Sequence, residues 1–153
     1  MRYLTKHLCL STIVAAAPTF AFAIYFEPRD KLLVDLLINH CSTQVTFGLT
    51  LGGFFLAAAS ILAGFSATEY LGRLTKAKKT WNTLLSIIFI ASSTNIIFGL
   101  LGYISYWVLN AQALSTQSVA YIAQINIFLL AYSAYFSGLC LVLLKEVLAN
   151  ISS

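Results

Sequence analysis

Positions 7–26, 36–68 and 80–144 contain no Asp, Glu, Lys or Arg. These charge-free intervals hold 20, 33 and 65 residues. A helix needs about 20 apolar residues to cross the hydrocarbon core, so they have room for one, one and two spans. The charged residues make up 9% of the 153-residue chain, against about 25% in an ordinary soluble domain. Charge this sparse cannot cover a soluble globule of this size. With 59% apolar residues and a mean hydropathy of +0.86, the chain is predicted to be all-α, a polytopic transmembrane four-helix bundle. The pattern excludes a secreted disulfide domain, a doubly wound nucleotide-binding enzyme and a sequence-specific nucleic-acid reader. Uninterrupted apolar runs, not alternating ones, favour helices over a β-barrel.

The spans are predicted at about 8–26, 45–65, 81–107 and 119–144. The first ends at Glu27-Pro28-Arg29-Asp30, and the second begins where the chain turns uniformly apolar after Gln44. The long third interval breaks at its polar run, Asn110–Ser118 (NAQALSTQS). A helix over 81–107 would be about 40 Å long, which requires tilt or entry into the headgroups. Trp81 at one end and Tyr103, Tyr106 and Trp107 at the other fit interfacial aromatic belts.

Seven of the nine Lys and Arg residues fall on one side of such a bundle. They are Arg2, Lys6, Arg73, Lys76, Lys78, Lys79 and Lys145, opposed only by Arg29 and Lys31. The positive-inside rule then places both termini in the cytoplasm. This bias accounts for a pI near 9.1 without direct nucleic-acid binding. Arg2, Lys6, an apolar stretch and Ala21-Phe22-Ala23 also have the form of a signal peptide. Cleavage there would leave three spans.

The loops carry two further expectations. Asp30–Asn39 (DKLLVDLLIN) suits either a short interfacial helix or an extension of a neighbouring span. The basic loop 66–80, with Arg73, Lys76, Lys78 and Lys79, suits contact with anionic membrane lipid, docking of a cytosolic protein partner, or both. Cys9 and Cys140 fall within spans and Cys41 outside, with no CxxC pair; His7 and His40 fall at opposite membrane faces. No metal site and no cofactor are expected.

Within the second span, Gly48 and Gly52 form a GxxxG pair, and Gly53, Ala57, Ser60 and Gly64 repeat at 4, 3 and 4 residues. Small residues at helical spacing let backbones approach closely in lipid. One such face suits packing on the third span and another suits contact between protomers of a homo-oligomer. On the third span Ser92, Asn95, Gly99 and Gly102 share a stripe. Asn95 there is either interhelical hydrogen-bond glue or the lining of a polar path. The fourth span adds Gln124, Asn126, Tyr132, Ser133, Tyr135 and Ser137. Of these Gln124, Asn126 and Tyr135 join Asn95 as candidate lining.

No span contains a carboxylate or a cation, which argues against a proton-coupled exporter. There is no nucleophile–base pair and no phosphate-binding glycine loop, so the chain is not expected to be an enzyme.

The block from Gly48 to about Gly102 combines a small-residue-rich helix (FFLAAASILAGF), a short basic loop (RLTKAKK) and an apolar helix. It resembles the membrane component of the phage-exclusion Rex system and similar small four-helix antiphage effectors. The resemblance covers about a third of the chain and implies an inner-membrane protein, triggered by a cytosolic sensor, that depolarises the membrane. Function is therefore expected to be that of an oligomeric pore-forming or membrane-depolarising effector. The alternatives are a non-conducting anchor for a soluble partner and a small uncoupled channel or transporter.

Overall fold

Among the described residues four long helices stand out: α1 (Arg2–Tyr25), α2 (Lys31–Gly64), α3 (Lys78–Asn110) and α4 (Thr116–Ile151). The computed structural model describes residues 2–25, 31–64, 72, 76, 78–111 and 115–151. All four helices are long and apolar enough to cross a membrane, over Leu4–Ile24, Asp35–Gly64, Thr80–Asn110 and Gln117–Val147. At about 1.5 Å per residue, a 30-residue span matches the roughly 40–45 Å of a bilayer with its headgroup regions. By length and composition, four such helices suit a multi-pass membrane protein.

The second stretch long and apolar enough to cross a membrane runs over Asp35–Gly64, ten residues longer at its start than the expected 45–65. The stretch 30–39 forms no separate interfacial helix from Lys31 onward; α2 runs unbroken from Lys31 to Gly64. The reason is local. No proline and no glycine intervenes between Lys31 and Gly48, so each residue adds one backbone hydrogen bond at little further entropic cost. Cys41, expected outside the membrane, is consequently a fully buried residue of α2. The break at 110–118 does occur, and Ser115 caps the start of α4. Its hydroxyl accepts from the Ser118 amide at 3.2 Å, satisfying one of the free N–H groups of a helix start. In α1, Pro18 lies inside the helix, where it removes one ladder donor.

The most extensive packing is between α2 and α3; α4 packs on α3, and α1 on α4. Buried positions follow helical spacing, as Leu37, Cys41, Gln44, Gly48, Gly52 and Phe55 show on α2. Large apolar side chains such as Phe20, Phe47, Phe89, Ile104 and Trp107 point outward. Gln44, Asn95 and Asn126 are almost wholly buried. This inside-out distribution suits a lipid solvent, in which backbone and amide groups must be satisfied internally.

Two apolar clusters divide the interior. One gathers Phe55 and Leu62 of α2, Ile87 and Ile88 of α3, and Phe136 and Cys140 of α4. The other gathers Leu37 and Cys41 of α2, Leu109 of α3, and Val119 and Ala123 of α4. The buried amides lie in the segments between them.

Candidate functional site

The polar groups of the spans converge into a seam where α2, α3 and α4 meet. Its centre is Gln44. The Gln44 Nε2 donates to the Phe98 carbonyl and to Asn126 Oδ1, both at 2.7 Å. Asn126 Nδ2 in turn donates to Ser105 Oγ at 3.1 Å and to the Ile122 carbonyl at 2.8 Å. One amide from each of α2 and α4 and one hydroxyl from α3 thus tie three helices together. Gly102 makes room for this. A Cβ there would lie 2.9 Å from Gln44 Cγ and Cδ. The absent side chain is therefore what lets Gln44 cross the face of α3.

A second group lies further along α3. Asn95 Nδ2 donates to the Ala91 carbonyl at 2.7 Å and to Ser137 Oγ of α4 at 2.8 Å. Ser92 Oγ donates to the Gly52 carbonyl of α2 at 2.8 Å. Asn95 therefore joins α3 to α4 through a side-chain hydrogen bond. In this conformation it does not line an open path. An amide in a nonpolar interior is costly unless paired, and every donor of Asn95 and Asn126 is used. One acceptor is not: Gln44 Oε1 is buried without a hydrogen-bond partner.

The other expected lining residues divide. Asn126 belongs to the seam. Gln124 is partly buried and stands outside it. Tyr135 faces α1 instead, with its hydroxyl 2.6 Å from His7 Nδ1. Phe98 is buried, and Phe128 stacks on Tyr132 with ring centroids 5.9 Å apart.

The small residues of α2 divide just as sharply. Gly48 and Gly52 face α3, where a Cβ on Gly52 would meet Ile96 Cγ1 at 2.5 Å. Their surface is covered within the protomer by α3, the packing expected of one of the two small faces. Gly53 and Gly64 have nothing within 4 Å of a built Cβ, and Ala57 and Ser60 are exposed. Of the two small-residue faces of α2, this second one is open to a partner. Of the basic loop, Lys76 is exposed; Arg73 and the side chains of Lys78 and Lys79 lie outside the described residues. Among the described residues no three His, Cys, Asp or Glu side chains gather as a metal site would require.

Gln44 and Ser105 were not singled out by the sequence reading, and Ser137 was not paired with Asn95. A signal for Gln44 existed: it precedes Gly48 by four residues and Gly52 by eight, which puts all three on one helical face. Compared with known proteins, the chain matches no protein family, no curated protein and no solved structure.

Proposed function

We propose that this protein is an oligomeric inner-membrane effector of a bacterial antiphage system, closed at rest and depolarising the membrane when a cytosolic partner engages it. Both termini face the cytoplasm, and the partner docks at the basic loop that contains Arg73, Lys76, Lys78 and Lys79. Protomers associate through the open face of Gly53, Ala57, Ser60 and Gly64. The Rex-like block from Gly48 to Gly102 supplies the biological setting.

One observation carries the proposal: a neutral polar seam, flanked by two apolar clusters, lies inside a bundle whose charged residues sit near the ends of its helices. Separation of α4 from α2 and α3 would expose Gln44, Asn95, Ser105, Asn126 and Ser137 as a lining of amides and hydroxyls. Such a lining has no charged ring and no carbonyl filter, so the path would select poorly among ions. At rest Phe55, Ile87 and Phe136 close one end of it.

The test is membrane potential in bacteria producing the protein, followed with a potential-sensitive dye. Phe55→Ala and Phe136→Ala, which thin the apolar cluster, should raise leak over the wild type. If neither variant leaks at wild-type abundance, and the purified protein passes no current in planar bilayers, the effector reading fails. The second reading, a non-conducting anchor for a soluble partner, would then stand. It is favoured by a specific feature: all the donors of Asn95 and Asn126 are engaged inside the protomer.

A further inference from the structure

The helices α2 and α4 run in the same direction and touch only briefly. Between their C-terminal halves they leave a groove of about 820 Å³. Phe54, Ala57 and Ile61 line it from α2, and Leu141, Leu144 and Lys145 from α4; Ala57 also edges the face proposed to join protomers, so the groove lies beside that face. From Phe54 to Leu62 the groove follows α2 for about 12 Å at 1.5 Å per residue. Its lining reaches Leu62 on α2 and Ala149 on α4, near the ends of the two candidate spans at Gly64 and Val147. Its volume lies within the roughly 300–1,000 Å³ of ordinary ligand pockets. The walls are hydrocarbon and aromatic, and among the described residues the one charged group in the lining is Lys145. Glu146, the next residue, is exposed but does not line the groove.

We infer that this groove holds an acyl chain of an anionic phospholipid, with the lipid phosphate against Lys145. The placement of the charge selects this occupant. An apolar slot that ends in a single cation, at the level where a span leaves the hydrocarbon, complements a lipid with a hydrocarbon tail and a negative headgroup. A lysine there reaches the interface while its methylene stem stays on apolar surface. A second copy of the chain fits less well. Across a two-fold axis the same patch meets itself, which would set two Lys145 side chains against each other. The inference requires only that the helices lie in a bilayer, and it is independent of whether the protein conducts.

The experiment is native mass spectrometry of the full-length protein, purified in mild detergent and supplied with equal amounts of dioleoylphosphatidylglycerol and dioleoylphosphatidylcholine. The wild type should retain one phosphatidylglycerol per protomer in preference to phosphatidylcholine. Lys145→Gln should cut that preference about fivefold, the effect of one cation near an anionic surface. Leu141→Trp, which fills the groove from the α4 side, should abolish retention of both lipids. Helicity and thermal unfolding by circular dichroism establish that the variants are folded. Equal retention of the two lipids by the wild type, or an unchanged preference in Lys145→Gln, overturns the inference. Loss of the retained lipid as the protein dimerises also overturns it, because a second copy would then be covering the groove.

Discussion

A Cβ on Gly48 would fall 2.5 Å from the amide nitrogen of Gly99 and 2.6 Å from its Cα. Helices α2 and α3 therefore touch backbone to backbone at this crossing. No side-chain rotation can relieve such a contact, because both sides of it are main chain. In lipid, where apolar burial does not drive helices together, close approach of this kind is a main source of association.

Gly48→Ala should therefore destabilise the protomer by at least the about 1–3 kcal/mol of an overpacked core. Gly53→Ala, whose new methyl meets nothing within 4 Å, should stay within about 0.5 kcal/mol of the wild type. Unfolding in detergent, titrated with SDS and followed by circular dichroism, compares the two. Equal effects would remove Gly48 from the α2–α3 contact.

Asn95 and Ser137 should behave as a coupled pair. Asn95→Leu is expected to cost about 1–2 kcal/mol, and Ser137→Ala less. In the double variant the effects should fall short of their sum by about 0.6 kcal/mol and by no more than about 1.7, the mean and the maximum measured for interhelical hydrogen bonds in a membrane protein. The same SDS titration reads the cycle. Strict additivity would mean that the 2.8 Å contact contributes nothing.

Gln44 and Asn126 give a sharper test, because the single changes should be worse than the double. Gln44→Met leaves Asn126 Oδ1 without its Gln44 donor, and Asn126→Leu leaves Gln44 Nε2 one acceptor short. Each orphaned group costs about 1–3 kcal/mol. Replacing both removes the pair together with the unpartnered Gln44 Oε1, so the double variant should be less destabilised than either single one. Thermal unfolding of all three variants decides this.

The hydroxyl of Tyr135 and the imidazole of His7 join α1 to α4. Tyr135→Phe removes one hydrogen bond and should weaken the protomer by about 1 kcal/mol, with the loss concentrated in α1. Hydrogen exchange should show faster exchange in Arg2–Tyr25 and little change in α3. Acceleration confined to α3 would contradict this assignment.

Orientation can be read directly by cysteine labelling in a background lacking Cys9, Cys41 and Cys140. A cysteine at Ser115 should react with a membrane-impermeant maleimide in intact cells, and one at Ala77 only after the cells are opened. Labelling of Ala77→Cys from outside would reverse the topology that the Lys and Arg distribution predicts.

The sequence by itself determined that the chain folds into four long apolar helices, and it marked the break near Asn110–Ser118. These follow from hydrophobic transfer summed over some twenty neighbouring residues, a local quantity that composition along the chain records. It also marked the small stripes of α2 and the amides Asn95 and Asn126, because polar and small residues stand out in an apolar run. It did not show which stripe meets which helix. Gly48 and Gly53 look alike along the chain, yet one touches the α3 backbone and the other touches nothing. Gln44 looked like the polar edge of a span, and Cys41 like a residue outside it. Only the tertiary structure made them interior, through the approach of Gly102 to one face of α2. Pairings such as Gln44 with Asn126, 82 positions apart, depend on three helices meeting at one level. Helical periodicity fixes a residue's face on its own helix; the neighbour opposite that face is settled by packing between distant segments.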